Sequence, residues 1–167
     1  MKVAVLALFF AASTFAQRAA DPATTSCGPA GVQIHVHLDK HPPAPQSPEP
    51  GKARVYFIQQ SGVKFNLEYP SINVAVDGAW VGALRPNSYF AASVAPGEHH
   101  LCANLHSVEL GAATELANFS AEPGRSYFYR SRLIVSRGQV YLELQPVDSD
   151  EARHLMASDP VSVASPR

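Results

Sequence analysis

The chain has 167 residues, with 13 Lys and Arg against 14 Asp and Glu and a formal net charge of −1. That balance excludes charge-driven capture of nucleic acid or of an anionic membrane surface. Two cysteines allow a single bridge, not a disulfide scaffold, and the length suits one domain with a core of its own.

The first residues read as a signal peptide, 1–16. Lys2 gives a short positive start, Val3 to Ala12 form an apolar run, and Thr14-Phe15-Ala16 sets small residues at the −3 and −1 positions of a peptidase site. Cleavage is expected after Ala16, with Ala20 as the alternative. The apolar run falls short of the roughly 20 residues that span a bilayer, and no second such run follows, so the mature chain is expected to have no transmembrane segment. A lipid anchor would need a cysteine directly behind the run, whereas Cys27 stands behind the polar DPATTS. The expected localisation is secreted or periplasmic, soluble after signal-peptide removal.

Residues 17–39 form an N-terminal arm. Within it, VQIHVHLD (32–39) alternates Val32, Ile34, Val36 and Leu38 with Gln33, His35, His37 and Asp39, the period of a half-buried strand. KHPPAPQSPEPGK (40–52) then carries five prolines and predicts an extended connector or a loose surface segment. The main domain, 53–157, reads as short strands between Gly and Pro turns. ARVYFIQ (53–59) is β-branched and aromatic, and Asp77-Gly78 stands between two apolar runs in INVAVDGAWVGAL (72–84), a strong hairpin signal. Pro96-Gly97, Pro123-Gly124 and Arg137-Gly138 mark further turns, and Val140, Leu142 and Leu144 share one face of the last of these strands. Asp148 is expected to cap one short C-terminal helix, with Glu151 completing a capping box. The tail, 158–167, is small and polar and is expected to fray. The fold class is therefore all-β, an antiparallel β-sandwich or open barrel with one short helix.

The segment PGEHHLCANLH (96–106) concentrates three histidines and a cysteine. As a strand, it turns His99, Leu101, Ala103 and Leu105 to the core and Glu98, His100, Cys102, Asn104 and His106 the other way. In an oxidising compartment an even pair of cysteines predicts a Cys27–Cys102 disulfide, closing a loop of about 75 residues worth up to roughly 4.5 kcal/mol by chain entropy. A cysteine so used is no thiolate ligand, and no metal or other cofactor is expected. The alternative is a periplasmic carrier of Cu or Zn using His35, His37, His99, His100 and His106. A second alternative is a hydrolase with a dispersed Ser/His/Asp site, since triad members need not be neighbours in sequence. No G-x-S-x-G, H-E-x-x-H, Walker or G-x-G-x-x-G pattern occurs, so no catalytic residue is assigned. Trp80, the sole tryptophan, with Tyr89, Arg130 and Arg132, is the candidate interaction surface. Gly82 lacks a side chain and would admit an aromatic ring at close range.

GKARVYFIQ, VAVDGAWVGALRPNSYF, VAPGEHHLCA, SAEPGRSYFYRSR and LELQPVDSDEARHLM together resemble the bacterial family of unknown function DUF2846, over roughly residues 52–157. The D-G-x-x-V-G and P-G-x-H patterns are also similar to PEGA-type β modules of bacterial surfaces. The resemblance implies an exported envelope protein, and it carries no known activity. The expectation is an exported, non-catalytic β-domain with a binding or structural role at the bacterial envelope. Its partner would be an envelope protein or polymer, with a homodimer available through edge-strand pairing.

Overall fold

The turn signals fall where strands end. The computed structural model describes residues 27–29, 31–32, 34–41, 44–60, 70–107 and 110–166; the expected signal peptide lies outside them. The described elements are β1 (Ile34–Asp39), β2 (Ala53–Gln60), β3 (Ile72–Val76), β4 (Ala79–Leu84), β5 (Ser88–Val94), β6 (Gly97–Ser107), β7 (Gly111–Ala121), β8 (Ser126–Ser136), β9 (Gln139–Pro146), α1 (Ser149–Met156) and β10 (Val161–Pro166). They form a six-stranded sheet ordered β1-β10-β5-β2-β8-β9 and a four-stranded sheet ordered β4-β3-β6-β7. Among the described residues the result is an all-β sandwich with one C-terminal helix and no closed barrel.

The smaller sheet is antiparallel throughout, as expected, but the larger one also holds two parallel pairings, β2 with β8 and β10 with β5. Parallel neighbours need a crossover connection, and for β2 and β8 it runs through β3, β4, β6 and β7 of the opposite sheet, with β5 returning in between to pair with β2. Period-two alternation then fills the space between the layers. Val55 and Phe57 of β2, Phe90 of β5, and Tyr129 and Leu133 of β8 meet Ile72, Val74, Leu84, Leu101 and Leu105 from the smaller sheet. Fully buried side chains such as Phe57, Ile72, Leu84 and Leu105 contribute about 1.5–3 kcal/mol each by leaving water.

The opposite face of β2 and β5 is not solvated either. Tyr56, Ile58 and Tyr89 form a second core beneath α1, with Ala152 and Met156 reaching down from the helix. Asp148 caps that helix, its Oδ1 accepting the Asp150 and Glu151 N–H groups at 2.9 and 2.8 Å. The capping box itself is a correction: the Glu151 carboxylate pairs with Arg130 of β8 and pins α1 to the sheet.

Two further expectations change. The tail does not fray, because β10 pairs along its whole length with β1, from Ile34↔Pro166 to Asp39↔Val161. The same pairing places the N-terminal strand in the sheet of its own chain. Residues 44–52 of the proline connector are not a loose spacer: Tyr56 donates its hydroxyl proton to the Gln46 carbonyl at 3.0 Å, and Ser93 donates to Glu49 at 2.8 Å. They form a strap lying over β2 and β5.

Candidate functional site

The Asp77-Gly78 turn has φ of 51° at Asp77 and 77° at Gly78, so the β3–β4 hairpin is tight. On the returning strand the register slips by one: Val74 faces Gly82 but Ala75 faces Trp80, leaving Val81 as an extra residue. This bulge sends Trp80 to the outer face of the small sheet and Gly82 to the inner face. The space a Cβ would take at Gly82 is filled by the Phe90 ring, 2.8 Å away.

A second irregularity lies beside it. β10 meets β5 parallel at one pair only, Val161↔Tyr89, and then swings toward β4. There Ser162 Oγ accepts the Arg85 N–H at 3.1 Å. The wedge so opened is a cleft of about 320 Å³, lined by Arg54 and Tyr56 of β2, Val81 and Gly82 of β4, Tyr89 to Ala91 of β5 and Val161 to Ala164 of β10. Ala44, Pro45 and Gln46 of the strap roof it.

Most of its polar side chains have spent their protons. Ser88 donates to the Arg85 carbonyl, so the 2.6 Å contact between Ser88 and Ser162 hydroxyls takes its proton from Ser162. Tyr56 is committed to Gln46. Burial first, then Tyr56 and Asp159, raise the pKa of Tyr89, which keeps it a neutral phenol. Arg54 is different. Its guanidinium lies 5.8 Å from the Tyr56 ring centroid, and its buried Nε has no hydrogen-bond partner. Nearby Glu49 is occupied by Lys52 at 2.6 Å and by Ser93, and its pKa is lowered chiefly by those two hydrogen bonds.

Of the residues singled out from sequence, Tyr89 lines this cleft and the others go elsewhere. Cys27 and Cys102 are disulfide-bonded with Cα atoms 5.1 Å apart. The bridge lays the arm across the outer face of the small sheet, where Gly28 packs flat on Trp80 and Trp80 Nε1 donates to the Pro29 carbonyl at 2.9 Å. Trp80 is therefore half-buried beneath the chain's own arm rather than offered as an open surface. Tyr89 is buried in the second core and does not belong to an open surface either. Arg130 holds Glu151, and Arg132 donates to Glu143 of β9 at 2.9 Å.

The histidines are dispersed. His35 and His37 are exposed on β1, and His100 and His106 on β6 are exposed about 20 Å apart along the strand. Among the described residues no group of three or more His, Cys, Asp or Glu side chains is placed to hold a metal ion. His99 points inward, as expected, against Phe119. Its Nδ1 lies 2.6 Å from Asp77 Oδ2 and its Nε2 2.7 Å from the Ala95 carbonyl. An ionised Asp77 and the Ala95 carbonyl both accept, so the geometry favours the ring that carries a proton on each nitrogen. Burial works against that charge, but the Ala95 carbonyl and the Asp77 carboxylate outweigh it and raise the His99 pKa. Burial likewise opposes the Asp77 anion and is outweighed by the His100 N–H and by His99, so its pKa falls. A hydrolytic triad would need a serine where Ala95 stands. The couple ties the β3–β4 turn to the β5–β6 turn.

The sequence of this chain matches the protein family of unknown function DUF2846 over residues 49–143. No curated protein matches the chain, and no solved structure does.

Proposed function

The chain belongs to the DUF2846 family, and we propose that it is a non-catalytic ligand-binding domain of the bacterial envelope, exported by its N-terminal signal and using the strapped cleft as its site. The observation that carries this reading is the parting of β10 from β5, which leaves about 320 Å³ beside a buried, unpartnered guanidinium nitrogen. Pockets that hold small molecules begin near 300 Å³ and combine apolar walls with a few convergent polar groups. Export is supported by the signal-like N-terminus and by the Cys27–Cys102 bridge, a bond that persists outside the reducing cytoplasm. No helix among the described residues is long and apolar enough to cross a membrane.

Two measurements test the proposal. The full chain, expressed in bacteria and fractionated, should be recovered outside the cytoplasm beginning at Gln17 or Asp21; a chain retained in the cytosol with Met1 intact would refute export. The disulfide-bonded chain should retain small molecules from an envelope extract, identified by mass spectrometry after washing. Ala164→Phe, which fills the cleft, should lose them while keeping its β circular dichroism. Equal retention by both proteins would refute the site.

A further inference from the structure

Resting on the cleft reading above, we infer that the ligand is an aliphatic carboxylate, its chain between the strap and β4 and its head on Arg54. The walls are apolar on several sides: Pro45 above, Val81 and Phe90 below, Val161 and Val163 along β10. Val81 and Val163 are each more than a third exposed, 36% and 37%, although they line one cavity. An apolar body covering them would remove that surface from water.

The head group follows from charge. Arg54 is the one charged residue among the lining residues. Its Nε is buried without a partner, and a guanidinium matches a carboxylate with paired, charge-assisted hydrogen bonds. The competing carboxylate, Glu49, is held by Lys52 and Ser93, so a second anion can take the site without breaking an existing Arg54 ion pair. An amine head would bring a second positive charge up to the Arg54 guanidinium, which like-charge repulsion opposes. Size bounds the ligand as well. At roughly the 30 Å³ that a water occupies in the liquid, the cavity admits on the order of ten non-hydrogen atoms. A free medium-chain fatty acid has that chemistry, and so does the C-terminus of a peptide ending in an aliphatic residue.

The test is an NMR titration of the ¹⁵N-labelled, disulfide-bonded chain with octanoate, 1-octanol, octylamine, N-acetylvaline and N-acetylvalinamide. Octanoate should shift the amides of Gly82, Ala91 and Val163 saturably and bind about tenfold or more tightly than octanol, the factor one charge-assisted contact supplies. Arg54→Gln should reduce octanoate to the affinity of octanol, and Arg54→Lys should restore part of the difference. N-acetylvaline binding more tightly than octanoate would assign the site to chain termini, and the reverse order to fatty acids; both support a carboxylate. Octanol or N-acetylvalinamide binding as tightly as its acid would overturn the carboxylate and leave the cleft reading standing. Absence of shifts at these amides with every probe would overturn both.

Discussion

Replacing Gly82 by alanine tests whether the close approach of Phe90 is a packing constraint. Gly82 is buried on the inner face of β4, and its φ is not positive, so the backbone itself accepts alanine. On backbone grounds Gly82→Ala should therefore stabilise by about 0.4–1 kcal/mol, because alanine restricts the unfolded chain. The structure reverses the sign. The added Cβ would lie 2.8 Å from Cε2 and Cζ of Phe90 and 3.2 Å from Cδ2. Carbon atoms pack at about 3.5–4.0 Å, so the ring must retreat by roughly 0.7 Å or more. Phe57 backs it with centroids 5.2 Å apart, which leaves the cleft as the side where it can yield. Overpacking of this kind costs about 1–3 kcal/mol, and after the chain-entropy gain a net loss of about 1–2 kcal/mol is expected. At a urea dependence near 2 kcal/mol per molar, the midpoint falls by about 0.5–1 M with an unchanged slope. Phe90→Leu removes the ring, and in that background Gly82→Ala should be neutral or stabilising, a coupling of about 1 kcal/mol or more. Wild-type stability for Gly82→Ala, or strict additivity of the two changes, would refute the argument.

Cys102→Ser, or reduction of the bridge, should cost up to about 4.5 kcal/mol, since the bridge closes a separation of 75 residues; urea melts with and without reductant measure it, and equal midpoints would count against it. Gly28→Val should lift the arm from Trp80, because a Cβ at Gly28 would fall 2.4 Å from the indole; a red shift in the emission of the single tryptophan reports it. The His99–Asp77 couple should give a flat-topped stability profile. His99, raised above its usual 6.5, contributes fully below that value and loses its contribution as pH rises through the folded pKa. Asp77, lowered from its usual 3.8, contributes fully above that value and loses its contribution as pH falls through the folded pKa. Urea midpoints should thus be highest between about pH 4 and 6.5 and decline on the alkaline side, and Asp77→Asn should flatten that decline. Asp148→Ala should destabilise by about 1 kcal/mol through loss of the two cap hydrogen bonds, measured by thermal melting.

Local chemistry made much of this architecture legible. Alternation assigned Leu101 and Leu105 to the core with His99 at its rim, and positive-φ pairs such as Asp77-Gly78 and Arg137-Gly138 fell at the turns that Gly marked. Asp148 was readable as a cap because capping involves residues two and three positions away. The Cys27–Cys102 bridge was readable because the count left a single pairing.

The cleft had no comparable signal. Arg54, Val81 and Ser162 come from β2, β4 and β10, with most of two sheets between them along the chain. Trp80 shows the limit most plainly: strict alternation puts it on the same face as Gly82, and only the extra residue Val81 separates them. A bulge is set by two partner strands together, so one strand's pattern cannot reveal it. The tail deceived for the same reason. VSVAS is too short and small to hold itself as a strand, and it becomes one because β1 offers a full ladder.

By itself, then, the sequence determined which segments extend, where they turn, which faces avoid water and which sulfurs pair. Each of those outcomes depends on residues adjacent in the chain or on arithmetic with one solution. Tertiary structure decided strand order, the parallel pairings, the place of the tail and the existence of the cleft. Those outcomes depend on which distant edges compete for the same hydrogen bonds, and no local pattern encodes that competition.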